Sequence, residues 1–130
     1  MRFRASNDLT LNCYVDADFA GLWNVENAQD PVCVKSRTGY VLTMGQCPLI
    51  WVSKLQMEVA LSTTEAKYIA LSQAMRDLIP MRTILSCVAE KLNLGTPSQC
   101  GTRNTVFEDN NGAYHWQRLP RSRLAWSISL

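Results

Sequence analysis

The chain has 130 residues, 47% of them apolar and 18% charged, with a formal net charge of +2. That length allows one domain with a modest core, and the balance excludes a disordered polyelectrolyte. The small positive charge neither requires nor forbids a nucleic-acid partner, and no apolar run reaches the length of a membrane span.

The five cysteines (Cys13, Cys33, Cys47, Cys87 and Cys100) are odd in number and widely spaced. None forms a CxxC or a Cys/His pair of zinc spacing, so free thiols in an intracellular, reducing compartment are expected. The N-terminus carries no apolar signal-peptide core, and no membrane partner is expected.

Residues 1–8 are polar and basic and are expected to fray. Leu11 to Phe19 alternates as a strand does. Cys13, Val15, Ala17 and Phe19 share one face, and Asn12, Tyr14, Asp16 and Asp18 share the other. Aspartate is a poor strand former, and two on one face repel each other. Either both face water from an edge strand, or a positive group compensates them, with a divalent metal the strongest candidate.

Ala20 to Lys35 has loop composition, with Trp23 expected to pack back onto the sheet. Arg37 to Met44 predicts a strand, Gly45-Gln46 a turn, and Leu49 to Ser53 a further strand. Three strands joined in this way form an antiparallel meander.

Ser62-Thr-Thr-Glu65 is a capping box, in which Ser62 accepts from the Glu65 amide and Glu65 reaches back to the cap amide. In the helix that follows, Ala66, Ala70, Leu71, Ala74, Met75 and Leu78 recur at helical spacing. Pro80 is expected to kink or restart it, and a second helical run ends at Gly95 and Pro97. Thr102 to Glu108 predicts a fourth strand, and Asn110 to Gln117 the start of another helix.

The order strand, strand, strand, helix, strand, helix is an α/β arrangement, and the helical crossover makes the fourth strand parallel to its neighbour. With that strand beside the first, Asp16 and Asp109 approach each other near mid-sheet. Converging carboxylates there would suit magnesium and the two-metal hydrolysis of a phosphodiester.

Five blocks, in this order, carry a family resemblance. They are Tyr14-Val-Asp16-Ala-Asp18-Phe-Ala-Gly21, Ser36-Arg-Thr-Gly-Tyr40, Trp51-Val-Ser-Lys54-Leu-Gln56, Ala60-Leu-Ser62-Thr-Thr-Glu65-Ala-Lys67-Tyr68-Ile-Ala-Leu71 and Asp109-Asn110-Asn111-Gly-Ala113. Residues 11–113 thereby resemble the ribonuclease H domain of copia-type retrotransposon polyproteins. The resemblance implies a single ribonuclease H-like domain over 1–130, with 114–130 a divergent tail. It implies a mixed sheet, an antiparallel three-strand meander plus a parallel fourth strand, with helices packed on it. It also implies magnesium-dependent (or manganese-dependent) hydrolysis of the RNA strand of RNA–DNA hybrids, beside the reverse transcriptase domain of the same polyprotein.

On this resemblance Asp16 matches the first metal carboxylate and Asp109 the third, while Asp18 is a supporting or structural acid. The second carboxylate departs from the pattern. The family reads Thr-Glu-Ala-Glu-Tyr where this chain has Thr64-Glu65-Ala66-Lys67-Tyr68. Position 67 shares a face with Ala70, Leu71, Ala74 and Leu78, the side that must pack on the sheet. Position 65 shares the more polar face of Tyr68, Ile69, Ser72 and Arg76. Related sequences with an Ala-Glu-Leu-x-Ala-Leu run align their catalytic Glu with Lys67. The metal-binding Glu has thus become Lys67, and Glu65 is the second-choice ligand.

The C-terminus departs as well. Leu119-Pro-Arg121-Ser122 faintly echoes the family's Pro-Arg-Thr-Lys-His-Ile, after which the likeness stops. The last strand and helix of the family are expected to be missing. The edge of the fourth strand, near Thr102 to Phe107, is then uncovered, and Trp116, Leu124, Trp126 and Ile128 form an exposed apolar tail unless they fold back over that edge. His115 is out of context for a catalytic role. Two classes follow: a ribonuclease H, or a non-catalytic remnant that binds hybrids or a reverse transcriptase. Lys54, Lys35 and Arg37 are the candidate phosphate contacts.

Overall fold

The structure is a computed structural model and describes residues 10–26, 29–92 and 104–108, together with the backbone of 126–127. Its elements are β1 (Leu11–Asp18), β2 (Arg37–Met44), β3 (Cys47–Leu55), α1 (Thr63–Lys91), β4 (Asn104–Phe107) and β5 (Trp126–Ser127). The strands form one mixed sheet in the order β3-β2-β1-β4-β5. β1 runs antiparallel to β2 from Leu11 opposite Met44 to Asp18 opposite Arg37. It runs parallel to β4, with Tyr14 opposite Phe107. The meander and the parallel fourth strand are therefore as the sequence predicts.

The alternation in β1 decides which face is covered. Leu11, Cys13, Val15 and Ala17 are buried beneath α1, joined by Tyr40 and Leu42 from β2 and Val106 from β4. From the helix come Ala66, Ala70, Ala74 and Leu78, spaced four apart so that they form one stripe. Tyr14 and Trp51 lie on the opposite face and are exposed. Gly45, at φ 57, makes the β2–β3 turn, and its amide donates to the Thr10 carbonyl. That left-handed conformation is one glycine adopts without penalty. β3 is an edge strand, and Pro48 and Lys54 within it discourage further pairing.

Several expectations change. α1 is one helix of 29 residues that runs through Pro80 to Lys91 and is capped at Leu92, while Gly95 and Pro97 lie outside the described residues. Pro80 removes the bond to the Arg76 carbonyl, but both residues are exposed, so water can satisfy that carbonyl. The edge of β4 is not bare: Thr105 and Val106 pair with Ser127 and Trp126 of β5. An unpaired strand edge is a template for a strand-forming segment such as this one. Trp23 is 54% exposed instead of packing on the sheet. Ala20, at φ 48, turns the chain away just before it, and the Trp23 amide closes that turn on the Ala20 carbonyl. The proposed helix after Asn110, with Asp109, His115 and Cys100, lies outside the described residues.

Candidate functional site

Asp16 lies on the open face of β1, two residues from the strand's end. Its Oδ1 accepts from the Ala17 amide at 2.8 Å. Opposite it in β2 is Gly39, where an added Cβ would meet nothing nearer than the Asp16 carbonyl at 3.9 Å. Gly39 lines a groove of about 700 Å³, bordered also by Tyr14, Asp16, Val41, Trp51, Phe107 and Glu108. Tyr14 and Phe107, paired in register, stack with ring centroids 4.7 Å apart.

The helix supplies the charge that faces Asp16. Lys67 Nζ lies 3.4 Å from Asp16 Oδ1 and 3.7 Å from Glu108 Oε1. The three side chains differ greatly in exposure: 73% for Asp16, 14% for Lys67 and 3% for Glu108. The Asp16 pair, open to water, contributes at most about 1 kcal/mol. The Glu108 pair matters more, because a buried carboxylate without a counter-charge is costly. Glu108 was not among the sequence candidates. It directly precedes Asp109, the acid singled out there. Its only sequence signal is that a lysine on the sheet-facing side of a helix needs a buried anion.

Glu65 is placed elsewhere. Its Oε2 accepts from the Leu61 amide at 2.7 Å, while its own amide donates to Ser62 Oγ at 3.1 Å. The reciprocal cap therefore closes on the residue before the cap, not on the cap amide. Glu65 is exposed, and its carboxylate accepts from the backbone just ahead of the helix. Asp18 turns back toward the following loop, where a Cβ at Gly21 would overlap its carboxylate. Asp109 lies outside the described residues.

Magnesium or manganese needs anionic oxygens converging on one point. Here an ammonium lies between the two carboxylates, and it repels a divalent cation. Among the described residues no three carboxylate, imidazole or thiol side chains are grouped closely enough to hold a metal. The described residues, Asp16, Lys67 and Glu108, do not by themselves fit the ion, and Asp109 lies outside the described residues.

Two polar contacts fasten the helix beside this site. Gln56 Nε2 donates to Thr38 Oγ1 at 3.0 Å and to the Ala66 carbonyl at 2.7 Å, all in a buried position. Farther along, the Tyr40 hydroxyl donates to Asp77 Oδ2. Burial, and then the Asp77 carboxylate, hold the Tyr40 phenol above its ordinary value. The same two causes push the Cys13 thiol up to about 12, which makes it unreactive. Cys13, Cys33, Cys47 and Cys87 are all free thiols.

A mixed α/β sheet with β1 flanked by an antiparallel β2 and a parallel β4, and one long helix across it, is consistent with a ribonuclease H-like fold. Over 112 residues, 84% of its length, the chain is 35% identical to the retrovirus-related Pol polyprotein from transposon TNT 1-94 of Nicotiana tabacum. It is 29% identical over 112 residues to the corresponding polyprotein from transposon RE2 of Arabidopsis thaliana. A stretch of 79 residues is 35% identical to the secreted RxLR effector protein 161 of Plasmopara viticola. The chain spans only 8% and 7% of the two polyproteins. It is related to a short segment of retrovirus-related Pol polyproteins from plant transposons. No family model and no solved structure matches it. No helix among the described residues is long and apolar enough to cross a membrane.

Proposed function

We propose that this chain is a ribonuclease H-like domain of retrotransposon Pol origin in which a lysine has taken the place of a metal-binding carboxylate. It binds RNA–DNA hybrid without cleaving it. One observation carries the reading: Lys67 Nζ lies within 4 Å of both Asp16 and Glu108. Magnesium would have to displace a tethered ammonium from two carboxylates and then coexist with its charge. Hydrolysis by two metal ions needs anionic ligands at that point, so the chain as it stands lacks the means to activate water.

Hybrid binding needs less. The phosphate backbone supplies most of the attraction to basic side chains, and the 2′-hydroxyl distinguishes RNA from DNA. Exposed Arg37 and Lys54 and half-buried Lys35 are the proposed phosphate contacts. Glu65 remains a helix cap, and Asp109 remains the proposed third acid of the ancestral site.

The test is a titration at fixed salt with RNA–DNA hybrid and with DNA duplex, followed by a cleavage assay in magnesium and in manganese. Tighter binding to the hybrid, falling with salt and without cleavage, is expected. Equal or tighter binding to DNA duplex would refute the hybrid reading. Cleavage by the unmodified chain would refute the lysine reading.

A further inference from the structure

We infer that Gln56 is a positioning residue: its buried side-chain amide sets where α1 holds position 67 against β1. The alanine stripe brings the helix close to the sheet but does not fix its place along the sheet. Ala66, Ala70 and Ala74 are fully buried and nearly identical in shape. Small, smooth side chains interlock weakly, so sliding or rotating the helix costs little packing. Directional bonds must supply the register.

Gln56 supplies the one nearest the site. Its backbone amide donates to the Ser36 carbonyl at 2.8 Å, which extends the β2–β3 ladder and fixes the residue to the sheet. Its side-chain nitrogen then reaches both elements of interest. Thr38 is the register partner of Ala17, next to Asp16. Ala66 precedes Lys67. A single amide thus links the strand pair that carries Asp16 to the helix turn that carries Lys67. It bypasses the connector between β3 and α1, in which Met57 and Leu61 are more than four-fifths exposed.

The orientation of the amide follows from its partners. The Ala66 carbonyl can only accept, so a donor nitrogen must face it; the flipped amide would oppose two oxygens. Gln56 Oε1 is then left buried with no hydrogen-bond partner. A core side chain chosen for packing alone would avoid that cost, whereas a directional tether accepts it. The Tyr40–Asp77 bond is a second tether. It holds the helix eleven residues beyond Ala66, about 16 Å along the axis, too far away to set position 67 by itself.

The inference deepens the reading of the Lys67 site, but its test uses neither nucleic acid nor metal. Failure here and failure of the proposed function are therefore separable. In the intact chain, the Gln56 side-chain amide protons should exchange with solvent at least a hundredfold more slowly than those of free glutamine. They should also show scalar coupling to the Ala66 carbonyl carbon by NMR. The functional half is a double-mutant cycle of Lys67→Met and Asp16→Asn, read as shifts in urea midpoint, in the parent and in Gln56→Met. Methionine keeps the length and volume but donates nothing. The non-additive part of the shift should fall by more than half in Gln56→Met and persist in Thr38→Val, which leaves the Ala66 bond in place. A merely structural role would lower every midpoint and leave the non-additive part intact, and that result would overturn the inference. If Gln56→Met does not fold, the amide measurement decides alone: exchange at the rate of free glutamine, without the coupling, would overturn it.

Discussion

Up to Leu78, helix α1 buries every fourth residue against the sheet and is tied down by Gln56, Tyr40 and the Ser62 cap. Beyond Pro80 the same helix leaves Ile84 55% and Val88 43% exposed, and only Ala89 is fully buried. Apart from Pro80 the two halves have similar helix-forming composition, so propensity alone does not account for the difference in burial. What separates them is the sheet beneath. The first half carries Lys67 and the fully buried stripe against the sheet, whereas in the second half Met81 and Leu85 reach the same core only partly buried and no site residue is present. The charge at position 67 is therefore held on the closely packed half, where substitutions act on packing and site together.

The sharpest way to separate the halves is at Lys67. Lys67→Met removes a cation that lies against the buried Glu108 carboxylate, and should lower unfolding free energy by about 3 kcal/mol in urea titrations at neutral pH. A loss below 1 kcal/mol would mean that solvent screens Glu108 in spite of its burial. Next in size is Ala70→Leu. Its extra carbons have no room between helix and sheet, and about 2 kcal/mol should be lost.

Alkaline pH probes the first half chemically. Cys13 and Tyr40 both hold their protons more tightly in the fold than in the unfolded chain. Their contribution is fully present below the unfolded values and is lost as pH rises toward the folded ones. Stability should start to fall between about pH 8 and 9 and be down by about 2 kcal/mol at pH 10. The double variant Cys13→Val/Tyr40→Phe should flatten that slope, as followed by thermal denaturation across pH. The smallest effect belongs to the second half: Ile84→Gln, on an exposed face, should stay within about 0.5 kcal/mol of the parent. A loss as large as that from Ala70→Leu would mean that this face is covered in solution.

The strands, the meander and the parallel fourth strand were legible because Leu11 to Ala17 alternates cleanly and because the chain order forces a crossover. The continuity of α1 was not, since a proline normally signals a break. Only the exposure of both Pro80 and Arg76 makes it tolerable. β5 was missed because two residues carry too little pattern to read, and its partner lies about twenty residues earlier. At the site, the helical period separated position 67 from position 65 without coordinates. Glu108 could not be found the same way. Its burial follows from where β4 ends beneath Lys67, a long-range contact that no local spacing records.

Whether Lys67 keeps magnesium from the Asp16 site is tested most directly by isothermal titration with magnesium. The parent chain should give no saturable binding in the millimolar range. Lys67→Glu should bind magnesium in that range, and Glu65→Gln should change neither result. Saturable magnesium binding by the parent chain, abolished by Glu65→Gln, would contradict the account and identify Glu65 as the ligand.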